Sequence, residues 1–354
     1  MVSLTANPVR DQRIEQVVPL VTPALLHHEL PLDDELGRLV LAGRAATARV
    51  LDGDDDRLLV VVGPCSVHDP DAALDYADKL AALAEEVSED LLVVMRVYFE
   101  KPRSTVGWKG LINDPGLDGS GDVNRGLRVA RSLLLRVLAK GLPVGCEFLD
   151  PIIPQYLADT VAWGAIGART VESQVHRQLA SGLSMPVGMK NRPDGSIATA
   201  VDAVRAAAVP HVFTGIDLSG TPAILRTRGN ADCHVVLRGG NDGPNYHADA
   251  VAQALRLLGA AGLPERVVID ASHGNSGKDH TRQPLVARDI ADQLASGQRG
   301  IRGVMLESFL VAGRQDLDPT RPLTYGQSVT DACMDWETTV ETLRHLASAT
   351  RERR

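Results

Sequence analysis

Disulfide frameworks, membrane spans and aromatic stacking surfaces are all difficult to build from this sequence. Its 354 residues include only four cysteines, and no two of these form a CxxC pair. No apolar run reaches the roughly 18 residues that a membrane-spanning helix requires. Aromatic residues make up 3% of the chain, which is too few for the stacking platforms of a single-strand nucleic-acid binder. With a polar N-terminal stretch unlike a secretory signal, we expect a cytoplasmic protein with reduced thiols.

Positive charge is also in short supply. Asp and Glu outnumber Lys and Arg by 45 to 37, so the formal net charge is -8. Proteins that bind nucleic acid usually carry a concentrated basic face, and this excess of acid argues against such a partner. It does not exclude phosphorylated small molecules, because a few arginines in one pocket bind anions even on an acidic protein. Hydrophobic residues reach 44%, which is enough for a large core.

Residues 1–57 differ from the rest in their charge and their prolines, and we interpret them as an N-terminal extension. One helix is predicted over 33–52, with Asp33 or Asp34 as its N-cap. The apolar positions that share one face of this helix are Leu36, Leu39, Val40, Ala46 and Val50. We expect the extension to cover an end of the following domain or to contact another subunit.

From residue 58 onward, short runs rich in Val, Ile and Leu alternate with helical patterns. The predicted strands are 58–65, 91–99, 144–150, 164–170, 187–191, 234–240, 267–273 and 303–308. The predicted helices include 71–87, 123–140, 197–208, 246–262 and 285–297. Near-continuous apolar strands that alternate with helices indicate a parallel sheet covered on both faces. Eight such units predict an α/β fold of the (β/α)8 or TIM-barrel type, with an open doubly wound sheet as the alternative.

Residues 210–229 interrupt this alternation with two strand-like halves around a middle rich in Gly and Pro. We predict an inserted β-hairpin here that is not part of the barrel. The predicted organisation is therefore an N-terminal extension over 1–57, a barrel over 58–348 and a tail over 349–354.

Each predicted strand ends at or near a polar or reactive side chain. In chain order these residues are Cys65, Arg96, Glu147, Arg169, Lys190, Arg238, His273 and Glu307. The carboxyl ends of barrel strands converge on one face, which carries the active site in nearly all characterised barrels. A structural salt bridge would explain one charged group in a buried run. Eight of them together predict a shared site.

Four of these residues are cations, and Lys101 and Arg103 of the KPRS segment raise the number to six. Guanidinium groups bind phosphate and carboxylate oxygens bidentately. Six cations around one mouth predict a substrate that carries several negative charges. For any one of these cations alone, pairing with one of the many carboxylates of the chain is the better explanation.

The same set offers metal ligands of mixed type. Cys65, His273 and Glu307 supply sulfur, nitrogen and oxygen, and Asp331 in SVTDACMDW is a candidate for the fourth ligand. Such mixed ligation suits a divalent ion such as Mn, Fe, Co or Zn. The long separations between these four residues along the chain do not form a metal-binding motif. Considered alone, Cys65 is better explained as a small buried hydrophobe and His273 as a core histidine.

Several long segments of the sequence are distinctive: GPCSVHD (63–69), RVYFEKPRSTVGWKG (96–110), GCEFLD (145–150), GNADCHVVLRGG (229–240), ASHGNSGK (271–278) and YGQSVTDAC (325–333). Through these segments the chain resembles the class I DAHP synthases (3-deoxy-D-arabino-heptulosonate 7-phosphate synthases). The resemblance runs from about residue 13 to 348, with the segments in the family's order. The resemblance implies a metal-dependent transferase that condenses phosphoenolpyruvate with erythrose 4-phosphate, the first step of the shikimate pathway to the aromatic amino acids.

The resemblance also implies a role for individual residues. The metal ion, with manganese favoured, would be bound by Cys65, His273, Glu307 and Asp331. Phosphoenolpyruvate would be held by Arg96, Lys101, Arg169, Lys190 and Arg238, and erythrose 4-phosphate by Arg103, Ser104 and Asp331. The catalytic residues would be Lys101, Glu147 and His273. Lys101 and Glu147 are the alternatives for proton transfer to and from water. Family members are typically homodimers or homotetramers.

The implied reaction is an aldol-like condensation. C3 of phosphoenolpyruvate attacks the aldehyde carbon of erythrose 4-phosphate, water adds at C2, and phosphate leaves through C–O cleavage. A related synthase that uses another aldose phosphate is the closest alternative, because the phosphoenolpyruvate half of its site would be the same. A non-catalytic regulatory subunit is less favoured, since every ligand and cation of the family pattern is kept.

Departures from the family pattern cluster where its members bind an inhibitory aromatic amino acid. Arg10 replaces a familiar acidic residue, Pro151 lies at a position that varies with the inhibitor, and Gly215 stands where a serine hydroxyl would help to hold it. We therefore hypothesise altered or absent feedback inhibition. The alternative is ordinary sequence drift in loops, with inhibition intact.

Overall fold

The computed structural model describes residue 9 and residues 11–103, 106–318 and 320–354. In chain order, the strands of the described residues are β1 (Leu58–Gly63), β2 (Leu91–Arg96), β3 (Val144–Glu147), β4 (Trp163–Ile166), β5 (Val187–Lys190), β6 (Val212–Ile216), β7 (Pro222–Arg226), β8 (His234–Leu237), β9 (Val267–Asp270), β10 (Ile301–Glu307), β11 (Val311–Arg314) and β12 (Gln327–Ser328). Eight of them, β1 to β5 and β8 to β10, form a closed parallel barrel in chain order. The predicted (β/α)8 fold is confirmed.

Helices follow most barrel strands and cover the outside of the sheet. In chain order, they are α1 (Pro23–Glu29), α2 (Asp34–Asp52), α3 (Pro70–Glu86), α4 (Val123–Leu138), α5 (Pro154–Leu157), α6 (Gln174–Ala180), α7 (Ala198–Ala207), α8 (Ala248–Ala260), α9 (His273–Ser276), α10 (Gln283–Ala295) and α11 (Trp336–Arg353). Short 3-10 turns lie at Ala158–Thr160 and His280–Arg282. Among the described residues, no helix combines the length and hydrophobicity needed to cross a membrane.

The barrel strands are apolar along their whole length because both of their faces are covered. Every residue of β1 and β2 is buried. Alternate strand positions fill the barrel interior, where Val61, Val94, Trp163, Val236 and Met305 belong to one cluster. The remaining positions pack under the surrounding helices in a second, larger cluster. Two separate layers of core therefore hold the strand ends, and the side chains they carry, at fixed positions.

The predicted helix of the extension is present as α2. The Asp33 carboxylate accepts a hydrogen bond from the Leu36 N–H at 2.8 Å and caps the helix. Gly53 ends it in the left-handed region, with φ of 85°. Val50 and Leu51 join the cluster inside the barrel, so α2 covers the end of the barrel opposite the carboxyl ends of its strands.

The predicted insertion is an antiparallel hairpin of β6 and β7, separate from the barrel sheet. Its tip contacts the extension, where the Ala24 N–H donates to the Leu218 carbonyl at 2.7 Å. Helix α1, which carries Ala24, was not predicted. The two-stranded sheet of β11 and β12 was not predicted either, because its strands are four and two residues long.

Helix α11 runs without a break across the boundary predicted at 348 and ends at Arg353. Arg353 is buried and donates to the carbonyls of Ile301 at 3.2 Å and Asp56 at 2.7 Å. Arg354 pairs with Asp90 at 3.1 Å. These contacts hold the last residues against the same end of the barrel that α2 covers.

Candidate active site

The structure brings the predicted site residues to the carboxyl-end rim of the barrel. Four of them are the last residues of their strands: Arg96, Glu147, Lys190 and Glu307. The other four follow their strands by one to three residues: Arg238, Cys65, Arg169 and His273. Because the strands are parallel, all eight lie on one face.

Three of the four predicted metal ligands form one compact cluster. The Sγ atom of Cys65 and carboxylate oxygens of Glu307 and Asp331 all lie within 4.8 Å of one another. The fourth, His273, adjoins this cluster through Glu307, with its Nε2 atom 3.6 Å from Oε1. One sulfur, one imidazole nitrogen and two carboxylates are a donor set suited to a divalent transition metal ion.

Asp331 reaches the cluster because the chain just beyond it is tied to the end of β10. The Met334 N–H donates to the Glu307 carbonyl at 2.9 Å. Cys333 and Gly313 exchange two backbone hydrogen bonds, of 3.1 and 2.8 Å. The small sheet that sequence patterns missed therefore positions one of the predicted ligands.

A positive charge already lies inside this cluster. The Lys101 ammonium donates to Cys65 Sγ at 2.8 Å and to Asp331 Oδ2 at 3.0 Å. Burial alone would lower the pKa of Lys101, but Cys65 and Asp331 raise it overall. Burial raises the pKa of the Cys65 thiol to about 11, and Glu307 adds to this shift. Burial works against ionisation of Asp331, yet Lys101 and His273 lower its pKa. The residues thus fit a cation, and the lysine occupies a cation's position between two of the donors.

Arg96 is fully buried beside the cluster, and almost all of its N–H groups are engaged. Its Nε donates to the Pro64 carbonyl at 3.1 Å, and its Nη2 donates to the Cys65 carbonyl at 3.1 Å and to Glu307 Oε1 at 2.9 Å. The Tyr98 ring stacks 3.6 Å from the guanidinium carbon. Nη1 differs from the other two nitrogens because its acceptor is a weak one, the Met305 sulfur at 3.0 Å. That nitrogen is the one a substrate carboxylate would engage at least cost.

Arg238 and Arg169 are close enough to influence each other. Arg238 is buried, whereas Arg169 is exposed. Burial lowers the pKa of Arg238, Asp270 opposes that shift, and the charge of Arg169 adds to it. Two neighbouring guanidiniums repel each other, and a phosphate dianion bound between them would relieve that repulsion.

Three buried asparagines fix the backbone that carries Arg238. Asn191 Oδ1 accepts the Arg238 N–H at 2.7 Å, and Asn245 Oδ1 accepts the Gly239 N–H at 2.7 Å. Asn275 Oδ1 accepts the Asn245 N–H at 2.8 Å. Gly239 has φ of 72°, in the left-handed region that favours glycine. Sequence reasoning missed all three asparagines, although each one lies in a segment that follows a barrel strand, one, eight and five residues after the ends of β5, β8 and β9.

Asp270 was also missed. It is completely buried and is the last residue of β9, whereas the sequence pattern predicts that this strand ends at His273. Its Oδ2 atom lies 2.9 Å from His273 Nδ1 and 3.1 Å from Lys190 Nζ. Burial opposes ionisation, but His273 and Lys190 hold the pKa of Asp270 well below its usual range. The available signal was an aspartate that ends an otherwise apolar run, VVID.

A second missed carboxylate, Glu100, joins the segments after β2 and β3. Its oxygens accept the N–H groups of Leu149 at 3.2 Å and Asp150 at 3.0 Å. Burial raises the pKa of Glu100 to about 8, although these two N–H groups lower it.

Glu147 lies beside Gly167, where an added Cβ would come within 2.1 Å of its Oε1. A side chain at position 167 would therefore displace the Glu147 carboxylate.

The predicted binding residues for the second substrate are only partly described. Arg103 is exposed at the rim and donates through Nε to the Trp108 carbonyl at 2.8 Å. Ser104 lies outside the described residues. The Lys101 N–H donates to the Lys109 carbonyl at 2.9 Å, which closes the loop that carries Arg103.

A cavity of about 590 Å³ lies away from the barrel mouth, between the extension, the segment after β3 and the hairpin. Its lining includes His27, Pro154, Leu179, Ser184, Phe213 and Leu225. Gly215 lies on the same hairpin, where an added Cβ would be 2.6 Å from a Leu225 methyl group. Arg10 lies outside the described residues. The three regions in which the departures were noted therefore surround one cavity.

Comparison with known proteins matches this chain along nearly its whole length. The sequence profile described as the DAHP synthetase I family matches residues 35–344. A phospho-2-dehydro-3-deoxyheptonate aldolase of Escherichia coli K12, named Phe-sensitive, is 54% identical over 97% of this chain and 98% of its own. The corresponding aldolase of Corynebacterium glutamicum is 54% identical over 99% and 96%. A solved aldolase structure from Francisella tularensis superposes with a TM-score of 0.95, at 51% identity over 96% and 99%.

Proposed function

Because this chain belongs to the DAHP synthetase I family, we propose that it is a DAHP synthase. It condenses phosphoenolpyruvate with D-erythrose 4-phosphate and water, and it releases phosphate and 3-deoxy-D-arabino-heptulosonate 7-phosphate. The observation that carries the proposal is a cluster of sulfur and carboxylate donors beside buried cations at one barrel mouth. Such a mouth suits a reaction between two anionic substrates that needs a Lewis acid.

The proposed metal ligands are Cys65, His273, Glu307 and Asp331. A divalent metal ion, when bound, would supply a Lewis acid that polarises the aldehyde oxygen of erythrose 4-phosphate. Two carboxylates among the ligands favour manganese over the softer ions, although the thiol also suits iron, cobalt or zinc.

The cations at the barrel mouth would orient phosphoenolpyruvate and offset the repulsion between the two substrates. Arg169 and Arg238 would bind its phosphate, in line with the lowering of the Arg238 pKa by the charge of Arg169. Arg96, through Nη1, together with Lys101 and Lys190 would bind its carboxylate. Arginine and lysine in a site with little water act strongly on such charges. Their preset positions would keep C3 facing the aldehyde.

Proton transfer would be carried by groups already at the rim. Glu147 and Lys101 are the candidates for exchanging protons with the water that adds at C2, and His273 is the third proposed catalytic residue. Arg103, Ser104 and Asp331 are the proposed contacts of erythrose 4-phosphate. The main alternative, a synthase for another aldose phosphate, differs from this proposal only in that last set.

The decisive experiment is an assay on protein stripped with chelator and then supplied with Mn²⁺. Phosphoenolpyruvate absorbance is followed with and without erythrose 4-phosphate. We expect consumption that requires both the aldose phosphate and the metal. Consumption with other aldose phosphates, but not with erythrose 4-phosphate, would replace the proposed second substrate. Binding of phosphoenolpyruvate with no consumption under any of these conditions would reject the enzymatic proposal.

We also propose that the protein is a homodimer or homotetramer, in a reducing compartment such as the cytoplasm. Exposed apolar side chains occur on the extension, such as Val17 and Val18, and on the hairpin, such as Leu218 and Ile224. Ile224 is 73% exposed, and its burial against a second copy would be favourable. The four free, buried thiols fit a reducing compartment. Light scattering on purified protein should give a dimer or tetramer mass, and a monomer at micromolar concentration would reject this assembly.

Altered feedback inhibition is the last part of the proposal. The E. coli relative is named Phe-sensitive, and the cavity beside the hairpin is large enough for an amino acid. Gly215 supplies no hydroxyl to hold the polar end of such a ligand, and a lost hydrogen bond costs about 1–3 kcal/mol. Activity is measured against Phe, Tyr and Trp separately. Strong inhibition by any one of them would contradict insensitivity.

A further inference from the structure

We propose that Asp270 is a positioning residue that couples the metal-ligand cluster to the phosphoenolpyruvate cations. It does so by holding His273 and Lys190 with one carboxylate oxygen. The inference rests on the proposed function of this site, but it assigns a role to a residue outside the predicted set. It can be tested by ligand binding alone.

The Asp270 carboxylate has no freedom to rotate. Its Oδ1 accepts the N–H of Ser272 at 3.0 Å and the hydroxyl of Ser272 at 2.5 Å. Its Oδ2 faces His273 Nδ1 at 2.9 Å and Lys190 Nζ at 3.1 Å. Two hydrogen bonds at Oδ1 and two ion-pair contacts at Oδ2 hold this fully buried carboxylate in place, and a fixed carboxylate in turn fixes its partners.

The first consequence concerns His273. The Asp270 carboxylate, 2.9 Å from Nδ1, favours the tautomer with the proton on that nitrogen, which also lies 2.8 Å from Ser272 Oγ. The Nε2 lone pair is then left facing the Glu307 side of the cluster. A carboxylate behind an imidazole also increases its strength as a ligand. His273 has φ of 54°, which is uncommon for a residue with a Cβ. On this backbone, the contact of Nδ1 with Asp270 at 2.9 Å helps to fix the orientation of the imidazole ring.

The second consequence concerns Lys190. Its ammonium is nearly inaccessible to solvent, and Asp270 is its ion-pair partner among the described residues, at 3.1 Å. A buried charge without its partner is strongly unfavourable. Without the carboxylate, the ammonium would move or lose its charge, and the anionic substrate would lose a preset contact. One carboxylate therefore serves a proposed metal ligand and a proposed substrate cation.

The test uses Asp270→Asn, which removes the charge at nearly constant volume. Binding of Co²⁺ and of phosphoenolpyruvate is measured separately by calorimetry on folded, chelator-stripped protein. We expect Co²⁺ affinity to fall about 10–100-fold, as for other carboxylate partners of ligand histidines. Phosphoenolpyruvate affinity should fall about tenfold or more, as for a lost charged hydrogen bond.

The matched control is Asp52→Asn at the opposite end of the barrel. Asp52 also pairs with a buried cation, Arg266, so the same chemical change should leave both affinities within about twofold of wild type. An Asp270→Asn protein with wild-type circular dichroism and both affinities unchanged would overturn the proposal. Loss of only one affinity would also overturn it, because the shared role requires both.

A second variant keeps the test decisive if Asp270→Asn does not fold. Ser272→Ala keeps the charge but removes the hydroxyl that orients Oδ1, and we expect a smaller loss of both affinities. Unchanged affinities in that variant would reject the proposal. Because these measurements need no turnover, they remain informative even if the wild-type protein fails to condense the two proposed substrates.

Discussion

Buried arginines lie at both ends of the barrel, but their partners differ. At the closed end, Arg353 donates to the main-chain carbonyls of Ile301 and Asp56. There Arg266 donates to the Ala231 carbonyl at 2.9 Å and also pairs with the half-exposed carboxylate of Asp52. At the open end, Arg96 pairs with the Glu307 side chain at 2.9 Å. Burial of a cation is therefore common to both ends and does not by itself identify a site.

The chemistry of the partner separates the two ends. At the closed end the partners are main-chain carbonyls and the carboxylate of Asp52, which is not part of the donor cluster, so a guanidinium there only joins chain segments. At the open end, Glu307, Asp331 and Cys65 are paired with cations and are also the proposed donors for a metal ion. The cations at the open end would therefore compete with a metal ion for these three side chains. Their positions should change when the metal ion binds.

The largest effect should follow the loss of a direct donor at the open end. Cys65→Ala removes the sulfur from the cluster, and we expect activity with saturating Mn²⁺ to fall more than about 100-fold, beyond the loss typical of an outer partner. The control is Cys233→Ala, which removes another buried thiol away from the cluster. Steady-state assays and Co²⁺ titration measure both variants. Activity of Cys65→Ala within tenfold of wild type would contradict the cluster's role.

The same substitution of arginine by lysine at each end of the barrel should show which end binds substrate and which only stabilises the fold. Arg238→Lys should raise the KM for phosphoenolpyruvate by about 10–100-fold with little change in Tm, because lysine cannot bind bidentately. Arg353→Lys should lower Tm by several degrees through lost carbonyl contacts, with KM unchanged. Kinetics and thermal melts of both variants are compared. The reverse pattern would invalidate the distinction between the ends.

The smallest effect concerns Glu100 and appears in the pH dependence of stability. Its folded pKa of about 8 exceeds its ordinary value of 4.5, so the folded state binds the proton more tightly. This contribution to stability is present at low pH and is lost as the pH rises towards 8. Glu100→Gln cannot titrate and should show a flatter curve of unfolding free energy between about pH 5 and pH 8. Denaturant melts across that range measure it, and parallel curves for both proteins would contradict the shift.

The barrel strands and the polar residues at their carboxyl ends could be predicted from the sequence, because both depend on local patterns. Buried strands are apolar throughout, and their polar ends stand out, as at Arg96 and Glu307. The extra hairpin was recognisable from its turn residues. Asp270 and the three asparagines were not recognised, because their importance depends on which strand ends are neighbours. β5 lies beside β8 only because the hairpin between them leaves the sheet.

Short elements were missed for a different reason. Helix α1 and the strands β11 and β12 contain too few residues to establish a period. The last turn of α11 is polar, and contacts of Arg353 and Arg354 with distant segments hold it in place. Such long-range contacts leave no local trace in the sequence.

The closure of the sheet has a consequence for the order of biosynthesis. β1 pairs with β10, so Leu59 lies beside Gly303, about 240 residues further along the chain. On a ribosome, β1 therefore waits unpaired on that side until nearly the whole polypeptide has emerged. Its free edge is a template for misassembly during that interval. A helix such as α2, already in place against one end of β1, would shield part of the nascent sheet until its last strand arrives.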